Sequence, residues 1–419
     1  MTVPDTHAND SAAAPGQRLS SARLLGLALA LSMGAAISLG ITRFAYGLLL
    51  PPMREDLGWG YTLAGAMNTV NALGYLFGAL VTPPLIRRLG PSRPMLAGAW
   101  LASLFMGLSG FFIDAAPLLA QRLLAGFASA FVFIAGGLLA ARLAAAAPQR
   151  AGLLLGLYYG GTGFGIVLSA WLVPVLLDAA KGRPHGWAWA WWALALACAA
   201  ASLLLAWPAR VLPALGAAGS GAPAPADASA GATPATRFTW APFGYGLAGY
   251  GMFGVGYIGY MTFVIALLRE QGLASGAISV FYGLLGVATL ASSRIWAGLL
   301  DRYRGGQPLA LLNLLLGAAT LLPVLSSSWP ALLASGLVFG GVFLSVVAST
   351  TALVRHNLPA SQWASGISAF TIVFALGQIV GPTVVGWIAD GPGGLARGLV
   401  FSACALWVGA ALAWRQRAL

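Results

Sequence analysis

The sequence predicts an all-α integral membrane protein with twelve transmembrane helices. Hydrophobic residues make up 59% of the 419 residues and charged residues only 8%, more apolar surface than a water-soluble fold of this size could bury. The hydrophobic residues fall in twelve runs, each close to the ~20 residues that a bilayer-spanning helix needs. The 56 glycines suit helices packed in lipid, where small residues let two backbones approach closely.

The order of the runs predicts the domain organisation. We expect a disordered tail over residues 1–20, six spans within 21–207, a linker over 208–239 and six spans within 240–419, because the Ala, Pro, Gly and Ser of the linker cannot build a core. In chain order the spans are Leu24–Leu50, Tyr61–Leu85, Met95–Ile113, Ala116–Ala145, Gly152–Leu177, Trp187–Trp207, Ala241–Leu268, Ala277–Leu300, Leu309–Leu325, Ala331–Val354, Ala364–Ala389 and Leu395–Trp414.

The basic residues predict the orientation of the spans. If the amino terminus is cytoplasmic, fourteen arginines lie on the cytoplasmic side and five basic residues on the other, and Arg43, Arg122 and Arg294 within spans complete the 22. The positive-inside rule then places both termini in the cytoplasm. The net charge of +12 is explained by topology, so we expect no nucleic-acid partner.

Arg43 is the first of two charges deep within the spans. A guanidinium in hydrocarbon costs several kcal/mol and cannot lose its proton, so it is retained where a protein-lined cavity compensates it. No acidic residue lies deep in any predicted span. The simplest counter-ion for Arg43 is therefore a ligand.

Arg122 and two asparagines fall at a similar depth. Arg43 lies eight residues before Pro51 and Arg122 six after Ala116, which places both roughly 9–12 Å below the periplasmic boundary at ~1.5 Å per residue. Asn68 and Asn71 share one face of the second span near that level. Two cations and two amides at one depth suit a carboxylate or another anion. Either arginine could instead have a structural role, Arg122 by bracing the first six helices, and the asparagines could tie helices together.

Other spans contribute further candidates. Tyr257 and Tyr260 could form the opposite wall of the cavity, or belong to an aromatic packing stripe. The run from Gly377 to Pro382 contains Gln378 and predicts a broken helix with a polar group near the midplane. Glycines on the fifth span favour tight packing over a sliding contact. The full set of candidate substrate-binding residues is Arg43, Tyr46, Asn68, Asn71, Arg122, Tyr257, Tyr260 and Gln378.

The loops after the second and eighth spans carry a degenerate repeated motif. Arg88 and Gly90 match Gly-x-x-x-Asp-Arg-x-Gly-Arg in the first half, and Asp301-Arg302 matches it in the second. With its twelve spans, and in the segments from Ile41 to Met53 and from Asn68 to Leu76, the chain resembles the YbfB/YjiJ-type bacterial branch of the major facilitator superfamily.

The resemblance implies two pseudo-symmetric six-helix bundles around a central cavity, alternating access, and a location in the bacterial inner membrane. It associates Arg122-x-x-x-Gly126 with that cavity and with proton coupling. The proline that marks the antiporter-type glycine motif of helix five is absent, which counts against a drug/proton antiporter. The resemblance gives a gating role to the residues of the repeated motif, and we interpret the neighbouring Arg294 as a gate brace. The full set of candidate gating residues is Arg88, Gly90, Arg294, Asp301 and Arg302.

An enzyme is not expected, because no paired carboxylates stand in a span and no Cys, His or Asp cluster has metal-ligand spacing. We expect a monomeric secondary active transporter in the lipid bilayer, without a cofactor, for a small and anionic organic solute. Proton coupling stays open, because the acidic residues lie at span ends. The alternatives are efflux of amphipathic drugs or toxicants, and a sensor or channel on the same scaffold.

Overall fold

The computed structural model describes residues 20–218, 239–359 and 362–419, and these are almost entirely helical. The predicted tail and most of the predicted linker lie outside the described residues. The twelve long helices are α1 (Ser21–Leu57), α2 (Tyr61–Leu89), α3 (Ser92–Ser109), α4 (Ala115–Ala145), α5 (Ala151–Ala179), α6 (Trp187–Ala218), α7 (Gly244–Glu270), α8 (Ser275–Ile295), α9 (Gln307–Leu325), α10 (Trp329–Asn357), α11 (Trp363–Asp390) and α12 (Gly394–Trp414).

Eleven of these helices are long and apolar enough to cross a membrane. The twelfth, α3, has 18 residues and begins with the polar sequence Ser-Arg-Pro, which lowers its mean hydropathy. The predicted twelve-helix fold is thereby confirmed in the described part of the chain. The helix ends differ from the predicted spans, most of all at α6, which continues through residues 208–218. The sequence assigns these residues to the linker, and they are helical despite Pro208 and Pro213.

The helices form two groups with the same internal contacts. In the first group, α1 to α6, helix α4 packs against α2 and α3, and α1 packs against α5. The same pairs recur six helices later in the second group, α7 to α12, as α10 with α8 and α9, and α7 with α11. The two groups meet where α2 packs against α11 and α5 against α8.

The molecule has two ends, a terminal side and a far side. At the terminal side α1 begins with Ser21 and α12 ends with Trp414, and at the far side α1 ends at Leu57 and α2 begins at Tyr61. Twelve antiparallel passages place both described ends on the terminal side.

The helix α1 contains a π-helical segment, Ala36–Phe44, between two α-helical parts. The Thr42 hydroxyl bonds the carbonyl oxygen of Ile37, five residues earlier, at 2.6 Å. Such wider turns are rare and often mark functional sites. Arg43 lies in the last turn of this segment.

Glycines allow the helices to touch backbone to backbone. A Cβ atom on Gly161 of α5 would lie 1.9 Å from the carbonyl oxygen of Ser32 in α1, and one on Gly163 would lie 2.5 Å from that of Gly286 in α8. Both distances are shorter than a carbon and an oxygen tolerate. The glycines of α5 therefore serve tight packing, on α1 and on α8.

The helix α11 is continuous, so the predicted break between Gly377 and Pro382 is wrong. The two glycines there serve contact, since added Cβ atoms on Gly377 and Gly381 would lie 2.4 and 2.6 Å from carbonyl oxygens of α7. Pro382 interrupts only one backbone hydrogen bond, because it has no N–H to donate to the residue four positions earlier. That residue is Gln378.

Candidate functional site

Arg43 of α1 forms hydrogen bonds with residues of both groups of helices. Its side chain is 4% exposed. Its Nε donates to Asn71 Oδ1 of α2 at 3.2 Å and its Nη1 donates to Gln378 Oε1 of α11 at 2.5 Å. The guanidinium also lies 5.0 Å from the centre of the Tyr75 ring.

Arg122 is equally buried but has all its close partners in the first group. Nη1 donates to the carbonyl oxygen of Thr42 at 2.6 Å and Nη2 to Asn68 Oδ1 at 2.9 Å. The rings of Tyr46 and Trp191 lie 5.0 and 5.7 Å from the guanidinium. Since the Thr42 carbonyl adjoins Arg43, the two arginines do lie at one level, as the helix arithmetic predicts.

The two asparagines act both as ties between helices and as partners of the arginines. Asn68 accepts from Arg122 and donates through Nδ2 to Thr262 Oγ1 of α7 at 2.8 Å. Asn71 accepts from Arg43 and donates to the carbonyl oxygen of Arg122 at 3.0 Å. Each amide thus uses both its oxygen and its nitrogen in connecting α1, α2, α4 and α7.

Gln378 and Tyr257 complete this network from the second group. Gln378 Oε1 accepts from Arg43 and also from the Tyr257 hydroxyl, at 2.8 Å. Tyr260 lies apart from it, with its hydroxyl bonded to Ser335 Oγ at 2.7 Å. The candidates other than Tyr260 therefore come together around the two arginines. Tyr46 does so through its ring, and its hydroxyl donates to the carbonyl oxygen of Ala64 at 2.9 Å.

The network carries two positive charges and no carboxylate. Every hydrogen-bond partner of Arg43 and Arg122 named above is a neutral amide or carbonyl oxygen. Within the described residues the acidic side chains lie at helix ends or in loops. His185 Nδ1 lies 2.6 Å from Asp56 Oδ2 near the far side, and no pair of a described arginine or lysine with a carboxylate is as close as a salt bridge requires. No described cluster of His, Cys, Asp and Glu could hold a metal ion.

The predicted gating residues lie on the terminal side, away from this network. Arg88, Arg294, Asp301 and Arg302 are exposed. Gly90 ends α2 with a φ of 73°, a conformation that favours glycine. No hydrogen bond or ion pair between Arg294 and Asp301 is found in the described part of the chain. The gating role of these five residues stays a prediction.

Sequence reasoning missed a set of contacts at the far side, which we name the far-side clasp: Asp390 and Glu270 of the second group with Tyr61 and Thr62 of the first. Asp390 accepts from the backbone N–H groups of Tyr61 at 2.6 Å and Thr62 at 2.9 Å, and from the Thr62 hydroxyl at 2.6 Å. The Tyr61 hydroxyl donates to Glu270. The sequence places both acids only at span ends, and nothing in it reveals that α2 meets α11.

Two further ties between the groups were also missed. The Thr69 hydroxyl of α2 bonds the carbonyl oxygen of Ile379 and the hydroxyl of Thr383 in α11, both at 2.8 Å. The Tyr282 hydroxyl of α8 donates to the carbonyl oxygen of Phe44 at 2.8 Å. The hydrogen bonds between the two groups thus extend from the far side to the level of Arg43.

Three solved structures with a similar fold are transporters. A bacterial homologue of the human lysosomal transporter Spinster, inward-facing and unoccupied, aligns with a TM-score of 0.70 at 16% identity, over 94% of this chain and 97% of that one. The nucleoside transporter NupG aligns with a TM-score of 0.68 at 14% identity, over 93% and 98%. The transporter FucP, in the outward conformation, aligns with a TM-score of 0.57 at 15% identity, over 93% and 97%.

A family model decides the assignment. None of the curated proteins matches the chain, and at these identities the structural likeness shows the fold alone. The model of the family described as uncharacterised MFS-type transporter YbfB, however, matches residues 35–414. The chain therefore belongs to this family of major facilitator transporters, and it is a multi-pass membrane protein that acts as a secondary transporter of a small molecule.

Proposed function

We propose that this transporter carries a small organic anion, bound through a carboxylate, across the bacterial inner membrane by alternating access. The observation that supports this most is the pair of buried arginines whose hydrogen-bond partners are neutral. Guanidinium groups stay charged at any physiological pH, and a charge in the membrane interior is costly unless it is compensated. An anionic substrate would supply that compensation.

The partners of Arg43 suggest where the carboxylate binds. Two amide oxygens, from Asn71 and Gln378, occupy two of its donors. A carboxylate offers two oxygens to the same planar group, and charge-assisted bonds are roughly twice as strong as bonds between neutral partners. In the proposed bound state the substrate replaces the Gln378 oxygen on Arg43.

This replacement would connect binding to movement. Arg43 belongs to the first group of helices and Gln378 to the second, so their hydrogen bond holds the groups together. A substrate that takes the place of Gln378 removes that tie. Such a difference in contacts between two states is what a ligand needs to shift a conformational equilibrium.

The orientation follows the distribution of basic residues. We place the terminal side in the cytoplasm and the far side in the periplasm. With the far-side clasp closed, the site of a monomeric carrier would then open toward the cytoplasm. No cofactor is proposed, and any coupled proton would enter with the substrate or through the clasp carboxylates of Asp390 and Glu270.

Uptake into proteoliposomes tests the proposal. Labelled monocarboxylates are offered with and without a pH gradient, and each acid is challenged by the unlabelled acid and by its matched primary amide. We expect the acid to compete and the amide to fail, because the amide cannot compensate two cations. Equal competition by acids and amides would contradict an anionic substrate.

A further inference from the structure

We infer that the substrate carries a flat aromatic ring next to its carboxylate. The inference rests on the proposed function, in which Arg43 binds the carboxylate. It comes from a separate feature, which we name the aromatic wall: five rings of the second group beside Gln378. They are Tyr250, Phe253, Tyr257, Phe343 and Phe374.

The rings of the aromatic wall lie nearly parallel. Tyr257 and Phe253 have centroids 4.7 Å apart and planes at 20°, and Tyr257 and Phe374 are 5.6 Å apart at 21°. Phe253 and Phe374 lie 5.3 Å apart at 9°, and Tyr257 and Phe343 6.2 Å apart at 9°. Rings aligned in one orientation form a surface on which a further flat ring can stack with its own plane offset.

One end of the aromatic wall is a single hydrogen bond away from the position proposed for the carboxylate. The Tyr257 hydroxyl and Arg43 Nη1 both donate to Gln378 Oε1. A carboxylate oxygen in that position could therefore accept from both. The group attached to the carboxylate then lies against the wall.

Tyr75 of α2 lies beside Arg43 from the first group. Its ring is 5.0 Å from the Arg43 guanidinium, and Arg43 in turn shares the acceptor Gln378 with the Tyr257 hydroxyl. A group that extends from the carboxylate would thus have an aromatic neighbour on each side, one from each group of helices.

The accessible members of this arrangement lie at one level. Phe374 precedes Gln378 by four residues in α11, and Tyr75 follows Asn71 by four in α2. Because these helices run in opposite directions, both rings lie one turn, ~5.4 Å, toward the terminal side of the amides. Phe374 and Tyr75 are half-buried, whereas Phe253 and Tyr257 are buried. Phe374 and Tyr75 are therefore the two rings at this level that a bound ring could contact.

Matched acids test the ring requirement on the purified protein. Thermal stabilisation is titrated with benzoate and cyclohexanecarboxylate, and with phenylacetate and cyclohexylacetate. Each pair shares charge and approximate size, and only one member is flat. We expect the aromatic acid to half-saturate the shift in melting temperature at about one fifth of the concentration that its alicyclic partner needs, or lower. This is the preference that stacking on aromatic side chains provides.

Two variants identify where the preference arises. Phe374→Leu removes the accessible ring of the wall and should bring each pair of acids to equal potency while both still require Arg43. Phe77→Leu is the matched control, because Phe77 lies on α2, 48% exposed, outside the wall, and it should leave the preference unchanged.

The outcomes separate this inference from the proposed function. If alicyclic acids act as strongly as aromatic acids and both require Arg43, the ring requirement is overturned and the anion carrier stands. If no acid stabilises the protein through Arg43, both are overturned. A preference for aromatic acids that persists in Phe374→Leu and in Tyr75→Leu would also overturn the assignment of the ring to this space.

Discussion

Arg43 and Arg122 are buried at the same level, yet their surroundings differ in a way that assigns them different work. The partners of Arg122 belong to the first group of helices, so its bonds can persist when the groups move relative to each other. Arg43 is bonded to Asn71 in its own group and to Gln378 in the other. A charge held within one group braces that group, whereas a charge shared between two groups must exchange a partner whenever they separate.

The largest effect on stability is expected from Arg122→Ala. The substitution removes the side-chain donor to the Thr42 carbonyl and to the Asn68 amide oxygen in a buried site, at about 1–3 kcal/mol each, and removes the contacts with Tyr46 and Trp191. The melting temperature of the purified protein should fall by several degrees. The control is Arg88→Ala, whose side chain is exposed on the terminal side.

If Arg122→Ala melts within about 2 °C of Arg88→Ala, Arg122 is not a brace. Arg122 would then need the same interpretation as Arg43, as a cation kept for a ligand, and the comparison between the two would fail.

The next effect concerns Gln378→Glu, which places a carboxylate beside Arg43. We expect this variant to be more stable than wild type and to lose its response to anions, because the new carboxylate occupies the proposed substrate position. Thermal titration with the best anion measures both quantities. Gln149→Glu, at an exposed position between α4 and α5, controls for the added charge.

A Gln378→Glu protein that still responds fully to anions would show that the substrate does not bind where Gln378 meets Arg43. Lower stability without any change in response would point to the same conclusion.

A smaller effect is expected at the far-side clasp. In Asp390→Asn the acceptor of three hydrogen bonds loses its charge, and such charge-assisted bonds are the stronger class. Hydrogen exchange of the Tyr61 and Thr62 amides should become faster, with little change in the melting temperature. Asp301→Asn, on the terminal side, should leave that exchange unchanged. Unaltered exchange in Asp390→Asn would mean that the clasp does not hold the groups together.

The smallest effect is expected from Tyr260→Phe. Its hydroxyl bonds Ser335, away from the arginines, so its loss should cost about 1 kcal/mol of stability and leave anion affinity unchanged. In Tyr257→Phe, by contrast, Gln378 and the substrate both lose a donor, and anion affinity should fall. Equal affinities in the two variants would place Tyr257 outside the site.

The sequence predicts the helices and the depth of the arginines because both depend on local patterns. Hydrophobic runs locate the spans, and residue counting along α1 and α4 brings Arg43 level with Arg122. The partners could not be predicted in this way. Gln378 lies 335 residues from Arg43, and only the packing of α11 against α2 and α7 brings it there.

The errors have local physical causes. Gly377 and Pro382 suggest a break because both disfavour helix in isolation, but contact with α7 makes the glycine an advantage and the proline costs a single bond. The π-helical segment of α1 contains a hydrogen bond from the Thr42 hydroxyl to the carbonyl oxygen of Ile37, which no periodicity of hydrophobic residues reveals. Tyr257 and Tyr260 look alike in the sequence, and the structure turns only one of them toward Arg43.

The most direct test of the account is ligand-induced thermal stabilisation of wild type, Arg43→Lys and Arg43→Ala, because a ligand that binds only the folded protein raises the melting temperature with its affinity. We expect a clear shift in wild type, a reduced shift in Arg43→Lys, which keeps the charge but lacks the planar fork, and none in Arg43→Ala, which should still fold. An anion that stabilises wild type and Arg43→Ala equally would contradict the role of Arg43 as the counter-charge of the substrate.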